Sequence, residues 1–328
     1  MTLSPPPTHH PHLLAYLASL RAAGKASTAR TTEGYLRQFS RWLITEGLTA
    51  DRVTTSDLQR FQAALHAHRT AAGQPLASAT IATMTAMLRS AYAWMHQTGL
   101  ILIDPAAGLS LPKQAHRAGV TAEHLSQQES IALLATLNRQ ISLATFPAEQ
   151  ALASRNLALI ALALASGRRC HGLLELRLSQ LDHDRHEIRI EREKGRTGRV
   201  LPVAGWALVV VKMYVDQHRT RLLGQRTSES LFVSGRSSRM CYKAYAYVLD
   251  RAVAATIAAN PDLTDLPQKR ITTHSLRVSF ATLIHAGGCD IRSLNELLLH
   301  RSLTTTAAYT PLAVSDLRRA LLTTHPRA

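Results

Sequence analysis

The chain has few cysteines, no long apolar run and a shortage of acidic residues. Its cysteines, Cys170, Cys241 and Cys289, are widely separated and show neither CxxC nor Cys/His ligand spacing, which argues against a disulfide framework and a zinc site. The longest apolar run, residues 157–166, is too short to span a bilayer, and the N-terminus lacks the basic-then-apolar order of a signal peptide. These absences predict a cytoplasmic protein that makes no use of a membrane.

The shortage of acidic residues leaves a large positive charge. Lys and Arg number 38 against 22 Asp and Glu, so the formal net charge is +16. This surplus favours a polyanionic partner, because each phosphate that a cation neutralises releases condensed counterions. Genomic base bias also produces a composition rich in Ala, Leu and Arg, so the charge alone is weak evidence. Nucleic acid is still the first partner to expect, and binding to DNA would place the protein at the nucleoid.

Two domains are expected, because 328 residues exceed the usual size of one. Residues 1–11 combine prolines and histidines without apolar periodicity and predict a disordered lead. Residues 12–107 predict a helical domain, in which Thr55 or Ser56 caps one helix. Its four helices are predicted around residues 13–20, 35–43, 56–68 and 78–95. Residues 108–122, which mix Pro, Gly and basic residues, predict a linker between the domains.

Residues 123–328 form the second expected domain. Ser126 and Glu129 have the spacing of a capping box before an apolar helix. A further helix is predicted over residues 154–166, and Gly167 is expected to end it.

A β-hairpin is predicted further along the second domain. Ile188 and Ile190 alternate with charged residues before a glycine-containing turn and a second strand, and Lys194 lies at that turn. The segments that follow are mostly helical and include an amphipathic tail helix over residues 312–324. The expected fold class is therefore mainly α with a small antiparallel β-sheet.

Six side chains of the second domain have the chemistry to cleave a nucleic-acid backbone without a metal or another cofactor. Displacing an alcohol from a phosphodiester requires neutralised charge on the nonbridging oxygens, an activated nucleophile and a proton for the leaving oxygen. Guanidinium groups bind two phosphate oxygens at once, imidazole and amine groups donate protons, and a phenol attacks phosphorus. The six residues are Arg169, Lys194, His274, Arg277, His300 and Tyr309.

Two of the six carry the most specific hypotheses. Only six of the 38 basic residues are lysine. A lysine releases a proton and an arginine effectively does not, so Lys194 is the expected general acid for the departing 5′ oxygen. Attack by Tyr309 would give a covalent phosphotyrosyl intermediate, which stores the energy of the broken bond and needs no ATP for resealing. Taken singly, each residue is more often a surface or packing residue, so the hypothesis rests on the whole set.

This ordered set resembles the catalytic set of tyrosine recombinases, the phage integrase and Xer-like family. SGRRCHGLLELRLSQLD, residues 166–182, resembles the first arginine box of the family, and EKGRTGRVLPV, residues 193–203, resembles its β-hairpin lysine. ITTHSLRVSFAT at 271–282 and LLLHRSLTTTAAYT at 297–310 resemble the second box through the nucleophile. Residues 78–113 are similar to the last part of its helical core-binding domain and the linker. The resemblance covers roughly residues 12 to 322.

The resemblance implies a role for each residue and an assembly. Tyr309 would be the nucleophile, and Arg169 and Arg277 would bind the scissile phosphate. Lys194 and His274 would transfer protons, and His300 would support the phosphate. A SAM-like core-binding domain and a catalytic domain would clamp the duplex in a C shape. Four protomers, identical or including a related recombinase, would exchange strands through a Holliday junction at a specific site in double-stranded DNA. The tail helix would dock on a neighbouring protomer, or alternatively within its own.

The chain departs from the family pattern at three positions. Leu299 stands before His300 where glycine is usual, Gly172 replaces a common acidic residue, and Arg168 replaces an apolar one. The leucine is expected to alter the turn that sets His300, and the missing carboxylate to loosen the phosphate site. Neither change removes a catalytic group, so the expected effect is on rate.

Two other functions compete with site-specific recombination. A catalytically silent DNA-binding regulator would explain the charge but not the complete six-residue set. A type IB topoisomerase uses similar chemistry without a partner site, but the separate helical domain and the compact size favour a recombinase. In each of these three functions, arginines would position the duplex and a few side chains would reach base edges. The candidates for DNA contact are Arg30, Tyr35, Thr80, Arg89, Arg236 and Arg239.

Overall fold

The computed structural model describes residues 10–70, 73–111, 123–190, 198–298 and 321–322. The chain divides into two compact units, Met1–Gly119 and Val120–Ala328, and each unit buries an apolar core of its own. Within the described ranges the fold is mainly helical, with one small antiparallel sheet in the second unit. The predicted fold class is confirmed.

Four helices build the N-terminal unit. They are α1 (Pro11–Ala22), α2 (Ala26–Thr45), α3 (Thr55–Ala67) and α4 (Ser78–Gln97). Their apolar faces meet around an aromatic cluster, in which the ring of Phe39 lies 5.0 Å from that of Phe61 and 6.2 Å from that of Tyr92. The buried Tyr92 hydroxyl donates a hydrogen bond to the Ala50 carbonyl at 3.0 Å, so the cluster leaves this polar group satisfied.

Three helix starts in the N-terminal unit differ from the sequence prediction. Helix α2 begins at Ala26, nine residues before the predicted range 35–43. The cap of α3 is Thr54, one residue before Thr55 and two before Ser56, because the Thr54 hydroxyl and the Asp57 carboxylate form a reciprocal capping box. Helix α1 begins at Pro11, inside the segment that was expected to be disordered, and the ring of His10 accepts a hydrogen bond from the His12 amide. Proline at the first helical position is favoured, because its missing N–H would have had no helical partner.

The second unit is built around one apolar helix. Helix α6 (Pro147–Ser166) follows α5 (Gln127–Leu143) and contacts α5, α8 (Gly205–Met213), α9 (Arg219–Leu223) and α11 (Thr273–Ala286). Nearly all side chains of its second half are buried, which explains the uninterrupted apolar run. Across the described parts of the chain, no helix combines the length and apolarity that crossing a membrane requires.

Helix α6 begins seven residues before the predicted start at Ser154. Pro147 occupies its first turn, and the Glu149 carboxylate accepts the Phe146 amide at 3.4 Å. Its end at Gly167 and the Ser126–Glu129 capping box of α5 are as predicted. Other α-helices in the described part of this unit are α7 (Cys170–Leu174), α10 (Tyr242–Ala259) and α12 (Ile291–Leu297).

The sheet of the second unit has the order β1–β2–β3 and is antiparallel throughout. Its strands are β1 (Leu181–Asp182), β2 (Glu187–Ile190) and β3 (Arg199–Pro202). The register pairs Ile188 with Leu201, both buried, and Ile190 with Arg199. The predicted hairpin is therefore present, and Lys194 belongs to the segment that connects its two strands.

Candidate active site

Arg277 is a buried cation that ties three elements of the second unit together. It lies on α11 with 5% of its surface exposed. Its Nη1 donates to the carbonyl of Gly167 at the end of α6, and its Nη2 donates to the carbonyl of Leu298 just after α12, both at 2.6 Å. Its other guanidinium N–H groups have no hydrogen-bond partner among the residues that the structure describes. Leu298 stands two residues before His300 in the sequence, so Arg277 also anchors the chain that leads to this second candidate.

Helix α11, which carries Arg277, is itself anchored at its start. The Thr272 hydroxyl accepts the Ser275 amide and the Ser275 hydroxyl accepts the Thr272 amide, which closes a cap on the first turn. One turn later the Ser279 hydroxyl accepts the amide of Leu125 at 2.8 Å. Just before the helix, Lys269 donates to both carboxylate oxygens of the buried Glu129, at 2.8 and 2.7 Å.

Gly167 occupies a position that glycine alone fills without strain. Its φ is +57°, in the left-handed region, and a Cβ built on it would lie 2.3 Å from Cδ1 of Phe280. The glycine therefore lets the end of α6 approach α11 closely enough for its carbonyl to accept the Arg277 hydrogen bond.

Gly167→Ala is expected to lower the free energy of unfolding by about 2–4 kcal/mol, because it adds left-handed backbone strain to an overlap with the Phe280 ring. Urea denaturation measures this loss. Gly99→Ala in the N-terminal unit is the matched control, since Gly99 has a φ of +75° with open space around its Cβ position. It should cost only about 1 kcal/mol. Equal losses in the two variants would contradict the close approach of Phe280.

Arg169 and Arg277 lie near each other, as the phosphate hypothesis requires. Arg169 is exposed and precedes the first residue of α7 in an extended conformation. Burial, together with the positive charges of Arg169 and Arg168, lowers the pKa of Arg277 to about 10. Arg277 still carries its charge at neutral pH. The charges of Arg169 and Arg168 thus both act on Arg277, and an anion bound beside Arg277 would offset them.

His274 lies at the exposed start of α11, three residues before Arg277. Cys170, which follows Arg169, interacts with Thr273, which precedes His274, so the starts of α7 and α11 lie close together. Burial raises the pKa of the Cys170 thiol to about 11, and interaction with the Thr273 side chain opposes this shift. The structure therefore places Arg169 near Arg277, with His274 one turn before Arg277 on α11, while Lys194, His300 and Tyr309 lie outside the residues it describes.

Arg168 and Gly172, both departures from the family pattern in the sequence, contact each other in the structure. The Arg168 guanidinium donates two hydrogen bonds to the Gly172 carbonyl, from Nε at 3.2 Å and from Nη2 at 3.0 Å. A Cβ on residue 172 would lie 2.9 Å from Nη2. The two unusual residues therefore belong together, because the arginine occupies the space that a side chain at position 172 would need. The sequence signal was their simultaneous occurrence four residues apart.

The candidates for DNA contact lie on three segments. Arg30 and Tyr35 are on α2, Thr80 and Arg89 are on α4, and Arg236 and Arg239 precede α10. The four arginines are exposed, and none pairs with a carboxylate in the ranges that the structure describes. Arg239 also lines a polar cavity of about 490 Å³ that reaches Arg168 and Ile190. Tyr35 and Thr80 are half-buried.

Comparison with known proteins agrees with this fold. Two family models match the chain, "Phage integrase family" over residues 124–315 and "Phage integrase, N-terminal SAM-like domain" over residues 13–99. The tyrosine recombinase XerC of Mycobacterium bovis (strain BCG / Pasteur 1173P2) is 30% identical over 315 residues, which are 95% of this chain and 97% of the relative.

Solved structures share the fold at lower identity. The XerH site-specific recombinase bound to palindromic difH substrate, a post-cleavage complex, matches with a TM-score of 0.65 at 18% identity, over 89% of this chain and 78% of that one. A lambda integrase tetramer bound to a Holliday junction matches with a TM-score of 0.58 at 18% identity, over 91% and 79% respectively.

These matches define the class of the protein as a tyrosine-type site-specific DNA recombinase. The chain belongs to the phage integrase family.

Proposed function

We propose that this recombinase cleaves DNA with Tyr309 as its nucleophile, at a phosphate held by Arg169 and Arg277. The phenolic oxygen attacks phosphorus as His274 accepts its proton. The bond between phosphorus and the 5′ oxygen breaks, and Lys194 protonates the departing oxygen. The product is a 3′-phosphotyrosyl linkage and a free 5′ hydroxyl. Attack by a 5′ hydroxyl from the partner strand reverses the steps and restores Tyr309.

The observation that carries this proposal is the arginine pair. A phosphodiester gains negative charge on its nonbridging oxygens as the nucleophile attacks, so fixed cations at that place lower the barrier. Arg277 is buried, donates hydrogen bonds to two backbone carbonyls and is repelled by the charge of Arg169. Its position is therefore set before DNA binds, and its charge lacks an anionic partner among the described residues. His300 would add a further donor to the phosphate.

The proposed substrate is double-stranded DNA that carries a specific recombination site. The SAM-like unit and the catalytic unit would both bind this DNA, and four protomers would exchange strands through a Holliday junction. The fold shared with a recombinase tetramer on such a junction supports this assembly. The excess of cationic residues supports a nucleoid location in the cytoplasm. The proposed domain limits remain 12–107 and 123–328.

Covalent trapping tests the proposed function. The full-length protein is incubated with nicked genomic DNA of the cell that encodes it, so that cleavage near a nick releases a short fragment and prevents resealing. Denaturation followed by sequencing of protein-linked DNA should recover one site, and peptide mass mapping should place the nucleotide on Tyr309.

The outcomes of this trapping separate the competing functions. Selective binding of a site without any adduct would indicate a silent DNA-binding regulator. Relaxation of a supercoiled plasmid that lacks the site would favour a topoisomerase. An adduct on a residue other than Tyr309 would refute the assigned nucleophile.

Arg89→Ala is expected to weaken binding to the recovered site about 5- to 10-fold in 100 mM salt and to lower the salt-dependence slope by about 1, because one phosphate contact is lost. Fluorescence anisotropy over a salt series measures both. Arg21→Ala is the matched control, since Arg21 loses the same charge but is already paired with Glu33 at 2.8 Å. Indistinguishable slopes in Arg89→Ala and the wild type would contradict a phosphate contact.

A further inference from the structure

The short helix α7 is held by an arginine that lies outside it. In a helix of five residues the last carbonyls have no partner within the helix. The amide of Leu176 bonds to the Leu173 carbonyl and leaves that of Gly172 free, and the Arg168 guanidinium supplies the missing donors with two N–H groups. One side chain thereby connects the residues before α7 to its last turn.

Stability alone does not account for this arginine. Burial lowers the pKa of Arg168 to about 10, and the nearby Glu175 carboxylate only partly offsets the shift. The Nη1 atom of Arg168 is buried and has no hydrogen-bond partner within the described part of the chain. A buried cation with an unsatisfied donor is costly, and an apolar side chain at this place would avoid the cost.

Arg168 instead constrains the backbone of the next residue, Arg169. Arg169 directly follows Arg168 in the chain, and its backbone carbonyl accepts a hydrogen bond from the Leu173 amide of α7 at 2.9 Å. Anything that fixes α7 against residue 168 therefore fixes the backbone of Arg169. The charge of Arg168 also acts on Arg277.

We propose that Arg168 is a positioning residue for strand cleavage. Its fork, the pair of hydrogen bonds that it donates to the Gly172 carbonyl, holds Arg169 in position relative to Arg277. The proposal rests on the function assigned to Arg169 and Arg277. It also assigns a role to Gly172, which must lack a side chain so that the fork can reach the carbonyl. The exchange of a carboxylate for glycine at this position is thus accompanied by a new contact from the preceding turn.

The test compares the cleavage rate with DNA affinity in four variants of the full-length protein. Arg168→Met removes the fork and the charge. Gly172→Leu keeps the arginine but displaces its fork, and the adjoining cavity of about 490 Å³ has room for the new side chain. The double variant removes the same contact twice. Arg226→Met is the matched control, because Arg226 forms a similar fork on the carbonyls of Leu222 and Leu223 at the end of α9.

Single-turnover cleavage is measured at saturating protein on a nicked duplex with the site recovered from the wild-type adduct. Arg168→Met and Gly172→Leu should each cleave about 10- to 100-fold more slowly, since small misplacements of a phosphate ligand have effects of this size. Their DNA affinity should stay within about 3-fold of the wild type, because the proposal gives Arg168 a contact with Gly172 and none with DNA. The double variant should be no more than about 3-fold slower than the slower single one. Arg226→Met should cleave at the wild-type rate even if its melting temperature falls.

Each contrary result has a distinct meaning. Wild-type rates in Arg168→Met, or rate losses that multiply in the double variant, would overturn the positioning role while leaving the recombinase assignment intact. A loss in Arg226→Met as large as that in Arg168→Met would reduce the effect to general destabilisation and also overturn it. Absence of any adduct with the wild type would instead refute the proposed cleavage itself.

Discussion

Arg277→Lys is expected to slow covalent cleavage about 10³-fold, although the substitution keeps the positive charge. A lysine ammonium cannot hold two carbonyls and still present a planar pair of donors to a phosphate. Loss of one preorganised donor already costs about 10²- to 10³-fold in comparable anion sites. The measurement is the single-turnover rate of adduct formation at saturating DNA, well below the melting temperature.

The same substitution should also destabilise the second unit. Arg277 satisfies the carbonyls of Gly167 and Leu298, and a lysine would leave at least one of them without its donor. The expected loss is about 1–3 kcal/mol in the free energy of unfolding. Arg221→Lys is the control, because Arg221 is exposed on α9 and should change neither property. Cleavage within tenfold of the wild type in Arg277→Lys would show that charge alone suffices and would contradict the clamp.

Local signals predicted the parts of the fold that depend on neighbouring residues. The capping box of Ser126 and Glu129 and the end of α6 at Gly167 each need only a few residues in the right order. The hairpin strands were readable from alternation, because Ile188 and Leu201 both face the core. Where neighbouring residues could each cap a helix, the prediction was wrong, as at α3, whose cap is Thr54.

The start of α6 was missed for a different reason. The residues before Ser154 include polar ones, so apolar periodicity alone placed the start too late. The useful signal was Pro147 with Glu149 in the first turn, since proline is favoured where the helix needs no amide donor. A start signal therefore outweighs the hydrophobic pattern when the first turns of a helix are exposed.

The candidate site shows the same division between local and distant information. The order of Arg169, His274 and Arg277 could be read from the sequence, but nothing in it placed the Arg277 guanidinium on the Gly167 carbonyl, 110 residues away in the chain. The contact between Arg168 and Gly172 is local and was visible only as two unusual residues. Its geometry depends on a left-handed turn and a five-residue helix, neither of which has a periodic pattern.

Tyr309→Phe is expected to abolish the covalent adduct, with at least a 10⁴-fold loss of cleavage, because the phenyl ring has no oxygen to attack phosphorus. The change removes no charge, so affinity for the recovered site should stay within about 3-fold of the wild type. Arg277→Lys should retain some adduct and Tyr309→Phe none, which separates a weakened phosphate site from a missing nucleophile.

The matched control for this loss is Tyr247→Phe. Tyr247 is 66% exposed on α10, so the same chemical change at that position should leave cleavage at saturating protein unchanged. A phenylalanine at 309 that still formed an adduct would mean that another side chain attacks, and the arginine pair would then serve a different nucleophile. Loss of DNA binding together with cleavage would mean that Tyr309 contributes to binding, so the cleavage defect alone would no longer identify it as the nucleophile.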